Sequence, residues 1–427
     1  MTKKSVLVLL VLGLVATFVS VAFPNETLNV FAPPWIFSKY PLEEVTARFE
    51  ADHPGVTVKL TRAEKWSAVT NIAAWRSGGS PFDVFVGGTG SMLGSAVIGD
   101  WLEPLDDLLT GNLAAENFVQ GALDCAHFVK PDGSGGYYPV LPFMISTMVL
   151  GVNTNYMKAA GLWENDEPVF ITSWDEDEFF AWFDQLKTAD ALTTHLQNWD
   201  REYMQYNYCA PINAMSGSFL AEDGRGFDVT SEAAHKWLGY VQRLYKEGTG
   251  DWVITDASGY GKWNSGTVAS YFDSQGHHME LVSATGNESD IAYLAWPGAV
   301  EAGSIVWSHS AWIPKVSSQK DLAKAYISEA ILSQYFQQWD FNHYGKLPTL
   351  KAYYGDGITR FEEEMPLLLE IANGAKPIPV YRELEKYLDV LAMYLPDAVF
   401  GRISVDKALQ SIQEASKDLD FTNLRFR

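Results

Sequence analysis

Cysteine, basic charge and long apolar runs are all scarce in this chain, and each scarcity removes a class of function. Only Cys125 and Cys209 occur in 427 residues. Neither sits in a CxxC or zinc-type spacing, so no thiol-exchange or zinc module is signalled. The two could form one disulfide in an exported chain, or stay as two buried thiols that behave as small apolar groups. Lys and Arg number 31 against 53 Asp and Glu, with no basic block. That balance lacks the electrostatic footprint of a nucleic-acid or anionic-lipid binder. There is no GxSxG elbow and no HExxH helix. Past residue 22 there is no long apolar run.

The first 22 residues are the exception. Lys3 and Lys4 precede an apolar stretch from Val6 to Val19, and Ser20-Val21-Ala22 follows as a small-x-small pattern. The run is short for a bilayer span. The order basic, apolar, small is that of a secretory signal peptide, with an uncleaved anchor helix as the alternative. No Cys follows at a cleavage position, so a lipid anchor is not expected. Removal leaves about 405 residues, the length of two or three domains. The expected location is periplasmic or extracytoplasmic.

Aromatics are abundant. The chain holds 15 Trp, 20 Tyr and 23 Phe, many beside Gly and Pro rather than inside helical stripes. Sugars present apolar C–H faces and polar rims. Trp and Tyr faces cover the former, while amides, hydroxyls and His meet the latter. The exposed-loop candidates are Trp35 after Ala32-Pro33-Pro34, Trp307 and Trp312 around Ser308-His309-Ser310, and Tyr344 before Gly345-Lys346-Leu347-Pro348.

Element order indicates an α/β protein. Thr27–Phe31, Val56–Leu60 and Phe82–Val86 read as strands. Helices are expected from about Ser38 to Pro54 and across Trp66–Arg76. Strand–helix–strand alternation implies parallel pairing with right-handed crossovers. Further helices are read at Trp174–Lys187, Ser231–Glu247, Asp321–Leu332, Leu384–Tyr394 and Val405–Ile412. Short apolar runs lie between several of them. No internal repeat or low-complexity linker is present, so two α/β lobes without a flexible tether are expected.

Gly87-Gly88-Thr89-Gly90 mimics a dinucleotide loop, with Asp106 and Asp107 downstream. It follows the third strand rather than the first, and an exported protein has no nicotinamide supply. A ligand-facing turn at the carboxyl end of a parallel strand fits better. His277 and His278 are adjacent, so their side chains point different ways and do not suggest a metal pair. No metal and no cofactor is expected.

Several segments taken together resemble the extracellular solute-binding proteins of ABC importers, the carbohydrate-binding group that includes maltose-binding protein. They are Phe49-Glu50-Ala51-Asp52-His53-Pro54-Gly55-Val56, Asp83-Val84-Phe85-Val86, Trp101-Leu102-Glu103-Pro104-Leu105-Asp106, and Leu141-Pro142-Phe143 before Gly151-Val152-Asn153. Ala311-Trp312-Ile313-Pro314-Lys315, Gly345-Lys346-Leu347-Pro348 and Ser404-Val405-Asp406-Lys407-Ala408-Leu409 complete the set. The resemblance covers nearly the whole mature chain.

It implies a two-lobed periplasmic-binding-protein fold with an inter-lobe ligand cleft. Residues 23–141 plus 304–346 would form lobe 1, and residues 142–303 plus 347–427 lobe 2. Chain crossings would fall near 142–146, 297–304 and 347–351. The implied ligand contacts are Trp35, Gly88, Thr89, Gly90, Ser146, Tyr271, Asp273, Gln275, His277, Trp307, His309, Trp312 and Tyr344, with Met215–Gly217 as a weaker set. The glycine-rich turn replaces larger side chains found in the maltose binder, so the sugar or its depth should differ. Cys125 and Cys209 would fall in different lobes, and a disulfide between them would block hinge motion.

The implied function is a non-enzymatic, monomeric receptor that passes a mono- or oligosaccharide to a membrane permease. Two alternatives stay open. One is a non-sugar solute such as a polyamine. The other is a secreted glycoside-processing enzyme, which would need two carboxylates flanking the cleft.

Overall fold

The computed structural model of the chain describes residues 26–63, 79–88, 90–285, 290–359, 362 and 365–425. The expected signal peptide, the expected helix over 66–76 and Thr89 lie outside them.

The chain opens with β1 (Glu26–Ala32), α1 (Pro34–Lys39), α2 (Leu42–Asp52), β2 (Val56–Arg62), β3 (Val84–Gly88) and α3 (Gly90–Ile98). β1 pairs in parallel with both β2 and β3. α2 turns Leu42, Val45 and Phe49 onto this sheet, at the spacing of one helix face. β3 is buried throughout, as befits a parallel strand covered on both faces. Asp83 at its start is a structural carboxylate: it accepts from Asn29 N at 2.9 Å and from Ser317 Oγ at 2.7 Å.

β4 (Leu141–Asn153) is a 13-residue strand, buried along its whole length. Its first half pairs with β9 (Ile305–Trp312) in the first sheet. Its second half pairs with β7 (Val268–Ser274) and β8 (Ile291–Leu294) in the second. One strand thus belongs to both lobes. The second sheet is completed by β5 (Thr193–Asn198) and β6 (Gly250–Val253), in the order β6-β5-β7-β4. Around it lie α4 (Glu176–Lys187), α5 (Met204–Ser216), α6 (Glu232–Lys246), α7 (Asp256–Asn264) and α8 (Gln275–Thr285). α4 is capped by Asp175, whose side chain accepts from Asp177 N and Glu178 N, so the helix starts two residues later than the sequence reading.

The chain passes from β8 in the second sheet to β9 in the first through residues 295–304. After β9 come α9 (Lys320–Tyr326), continued by a π turn over Ile327–Ile331, and α10 (Gln334–Tyr344). Leu347 then bridges back to Ile145 on β4. α11 (Met365–Gly374), β10 (Lys376–Pro377), α12 (Leu384–Val399) and α13 (Val405–Ser416) follow. α12 and α13 pack on the second lobe through Tyr387, Leu391, Leu409 and Ile412. Residues 347–427 do not all stay there: Val380 and Leu424 share a core with Phe82, Phe85 and Trp312 of the first lobe.

Cys125 packs with Val119, Ala122 and Val306, and Cys209 is a buried residue of α5 in the second-lobe core. The two thiols occupy separate clusters. No helix among the described residues is long and apolar enough to cross a membrane.

Candidate functional site

A cleft of about 250 Å³ opens between the two sheets. The first lobe contributes Trp35, Lys39, Gly87, His309 and Lys346 to its lining; the second contributes Arg201, Tyr203, Tyr206, Tyr260, His277 and Glu385 among others.

The first-lobe wall begins at the end of β1. Pro34 occupies the first turn of α1, where its missing N–H costs nothing. Trp35 follows at the helix start and meets His309 edge-on, with ring centroids 4.4 Å apart. Met144 and Ser146 on β4, and Trp307 and His309 on β9, are each two residues apart and so share a face of the sheet. Trp307 sits opposite Ser146 in register. Its ring lies over Tyr206 of α5 at 4.6 Å and 21°, so one face of the indole is spent on the second lobe. Gly87 has φ +112°, and a Cβ there would come within 2.9 Å of Ile36. Only glycine fits where the β3 backbone borders the cleft.

Lys346 follows Gly345, which closes α10. Its Nζ donates to Tyr40 Oη at 3.0 Å and lies 5.4 Å from the Trp35 ring centroid. Behind it Asp340 is fully buried. Burial pushes this carboxyl up to about 7, against the pull of the Lys346 ammonium and the Tyr40 hydroxyl.

The second-lobe wall depends on a turn at Asp200. Its carboxylate accepts from Glu202 N at 2.9 Å and Tyr203 N at 2.8 Å, which starts the chain into α5. Tyr203 and Tyr206, three residues apart, then share one side. Arg201 is held by Asp389 at 2.7 Å and Glu385 at 3.0 Å. His277, in the first turn of α8, reaches Tyr260 Oη at 2.6 Å through Nε2 and Asp273 Oδ1 at 2.8 Å through Nδ1. Lys39 spans the gap: its Nζ is 5.7 Å from the ring centroids of both Tyr260 and Tyr344.

Of the residues named from the sequence, the structure brings Trp35, Ser146, His277, Trp307 and His309 to the cleft lining. Others lie elsewhere. Trp312, past the register shifts of β9 between His309 and Ala311, stacks on Phe85 in the first-lobe core at 5.0 Å. Gly88 faces that indole, for a Cβ there would lie 2.8 Å from Trp312 Nε1; the glycine at the cleft is Gly87. Tyr271 and Asp273 sit on the face of β7 away from the opening, both fully buried. Gln275 is a brace: it accepts from Thr147 N at 2.9 Å and donates to Ile145 O at 3.1 Å on β4. Gly90 opens α3, and Tyr344 is half-buried at the end of α10 beside Lys39. Met215–Gly217 lie at the far end of α5 from the cleft tyrosines.

Sequence reading missed the Asp200–Tyr206 turn, Tyr260, Lys39 and Lys346. The signal available was Tyr203, Tyr206 and Tyr208 directly after a turn-forming Asp200. His278, the neighbour of His277, turns into the core, where burial lowers it to about 4. Among the described residues, no group of three or more His, Cys, Asp or Glu is placed to hold a metal ion.

No curated protein sequence matches the chain. Solved structures do, at identities that speak for the fold alone. The GacH receptor of Streptomyces glaucescens, solved unliganded and with acarbose, gives a TM-score of 0.73 at 18% identity over 92% of this chain and 99% of that one. Maltose-bound MalE3 of T. maritima gives 0.73 at 16%, over 92% and 99%. UgpB of Mycobacterium tuberculosis, with glycerophosphocholine, gives 0.73 at 17%, over 93% and 98%. These likenesses establish a two-lobed binding-protein architecture. The family described as bacterial extracellular solute-binding protein matches residues 38–334, more than half the sequence, and the chain belongs to that family.

Proposed function

We propose that this protein is an exported, monomeric receptor that captures a neutral carbohydrate between its lobes and delivers it to the permease of an ABC importer. The observation that carries this reading is the composition of the cleft. Aromatic rings approach it from both lobes, Trp35 from one and Tyr203, Tyr206 and Tyr260 from the other, with imidazole, hydroxyl and ammonium groups between them. Flat apolar faces edged by hydrogen-bonding groups are what a sugar ring requires. GacH and MalE3 were solved with acarbose and maltose, which supports the same class. Ligand that touches both walls is bound fully only when the lobes are closed, so binding shifts the population toward the closed form.

A polyamine fits less well. Lys39, Arg201 and Lys346 line the same space, and Glu385 is already paired with Arg201. A glycoside-processing role is equally unsupported, since Glu202 and Glu385 both belong to the second-lobe wall rather than flanking a bound sugar from two sides. The signal segment, lobe boundaries and monomeric state belong to this proposal and are tested by mass spectrometry of the secreted protein and by its sedimentation.

The deciding experiment is a thermal-shift screen with glucose, maltose, maltotriose, trehalose and cellobiose beside spermidine and glycerophosphocholine. A ligand at a hundred times its Kd adds about 2.7 kcal/mol. Stabilisation by at least one saccharide and not by spermidine is expected. Stabilisation by spermidine or glycerophosphocholine alone would overturn the carbohydrate reading.

A further inference from the structure

Three side chains form a line from the second-lobe core to the cleft: Asp273, His277 and Tyr260. Asp273 is fully buried, and its Oδ1 also accepts from Ser274 N at 2.6 Å. Burial alone would raise this carboxyl, but His277, Tyr271 and His278 outweigh it and hold it below the usual carboxylate range. An ionised carboxylate only accepts hydrogen bonds. His277 Nδ1, 2.8 Å away, must therefore carry the proton. In the neutral ring Nε2 is then an acceptor, and the Tyr260 hydroxyl, at 2.6 Å, must donate to it. The phenol hydrogen is committed inward, so toward every other partner this oxygen can only accept. Tyr203 Oη, 3.5 Å from Tyr260 Oη, is then the donor in that hydrogen bond and shares the cleft lining with it.

We infer that the Asp273–His277 pair fixes Tyr260 Oη as an obligate hydrogen-bond acceptor, which makes Tyr260 a specificity-determining residue for a ligand hydroxyl. The inference deepens the carbohydrate reading and rests on it for the ligand class. Its physical content is polarity. An unconstrained tyrosine hydroxyl offers either role; this one offers only one. A ligand with a hydroxyl at that position pairs with it. A ligand with a bare carbonyl, ether or phosphate oxygen there places two acceptors face to face and leaves both unpaired, which a closed cleft penalises. Asp273 and His277 act through Tyr260 and are positioning residues.

Two measurements test this. The first needs no ligand: long-range ¹H–¹⁵N spectra of the free protein at pH 7.5 report the His277 tautomer. A ring protonated at Nδ1 and bare at Nε2 is expected, and Tyr260→Phe should move the Nε2 resonance. A ring protonated at Nε2, or at both nitrogens, overturns the inference. The second is a titration of wild type and Tyr260→Phe with maltose and its monodeoxy analogues. Wild type should bind one analogue at least tenfold more weakly than maltose, and Tyr260→Phe should bind that analogue and maltose equally. Asp273→Asn should narrow the same discrimination while leaving the circular-dichroism spectrum unchanged. If maltose binds yet no analogue shows this coupling, Tyr260 does not determine specificity. If maltose does not bind, the ligand class is at fault, and the tautomer measurement alone sustains or overturns the relay.

Discussion

The two walls of the cleft face each other with different chemistry and are held in place by different means. The first-lobe wall is sparse and cationic, with Trp35, Lys39, His309 and Lys346 set by a strand end, a short helix and a helix terminus. The second-lobe wall is rich in tyrosine and is held by hydrogen bonds to the carboxylates of Asp200 and Asp273. Their cores differ in the same sense. β1 and β3 bury Leu28, Val30, Val84 and Val86, whereas β5 buries Thr193, Thr194, His195, Gln197 and Asn198. Buried polar groups demand partners, and once satisfied they fix direction in a way apolar packing does not. In the proposed carbohydrate reading, both walls cover the apolar faces of the ligand and the second wall sets its hydrogen-bond direction.

The largest effect should come from the residue both lobes share. Trp307 is 9% exposed and stacks on Tyr206. Trp307→Ala should cost about 3–5 kcal/mol of stability, the range for losing a buried aromatic, and should weaken ligand binding as well. Urea unfolding with calorimetric titration measures both. Full stability with lost binding would make Trp307 purely a cleft residue.

Next in size is an opposite response of the two sides to pH. His195 is fully buried between Ser270 and Gln197, and burial lowers it to about 3; His278 is lowered to about 4. Groups with depressed folded values contribute stability above their unfolded value near 6.5 that is lost as pH falls toward the folded values, at about 1.4 kcal/mol per unit of separation. Asp340, beside the first-lobe wall, is raised to about 7, so its contribution is complete below 3.8 and is lost as pH rises through 7. Protection factors from hydrogen exchange at pH 5 and 7.5 should fall on acidification around β5 and β7, and rise around α10. Equal changes on both sides would contradict the contrast.

A smaller effect is expected at Trp35, which is half-buried. Trp35→Ala should weaken ligand binding by about 1–3 kcal/mol through lost aromatic contact, with a Tm change well below that of Trp307→Ala. Comparable losses in Tm for the two variants would place Trp35 in the core instead.

The smallest is the contact between walls. Lys39→Gln removes an ammonium lying over Tyr260 and Tyr344, worth about 0.5–1 kcal/mol for an exposed cation–π pair. Small-angle scattering of the ligand-free protein should shift slightly toward a more open form. No shift would mean that Lys39 does not hold the walls together.

Most of the architecture was legible in the sequence, because burial patterns are local. The alternation in β1 and β2, the apolar β3, and the faces of α2, α6 and α12 follow from side-chain period alone. The site was legible only in part. Trp35 and Trp307 stood out beside turn residues, but Trp312 in the same segment carried the same signal and proved to be core. Two register shifts of β9 lie between them, so alternation along the strand does not predict their faces; only the pairing of β9 with β4 and β3 does. Gln275 and Asp273 look like polar ligand contacts in sequence; in the fold their hydrogen bonds are spent on the β4 backbone and on His277.

What the sequence by itself determined is therefore the α/β alternation, the helix faces and the aromatic supply, since each depends on residues close together in the chain. What only the tertiary structure decided is which polar groups remain for a ligand. Lys346 reaches Tyr40 across 306 residues, Trp307 meets Tyr206 across 101, and Tyr260 depends on a histidine 17 residues on and the aspartate behind it. A hydrogen bond is directional and short, so its partner is fixed by where the folded backbone places it, not by the pattern of residues around it.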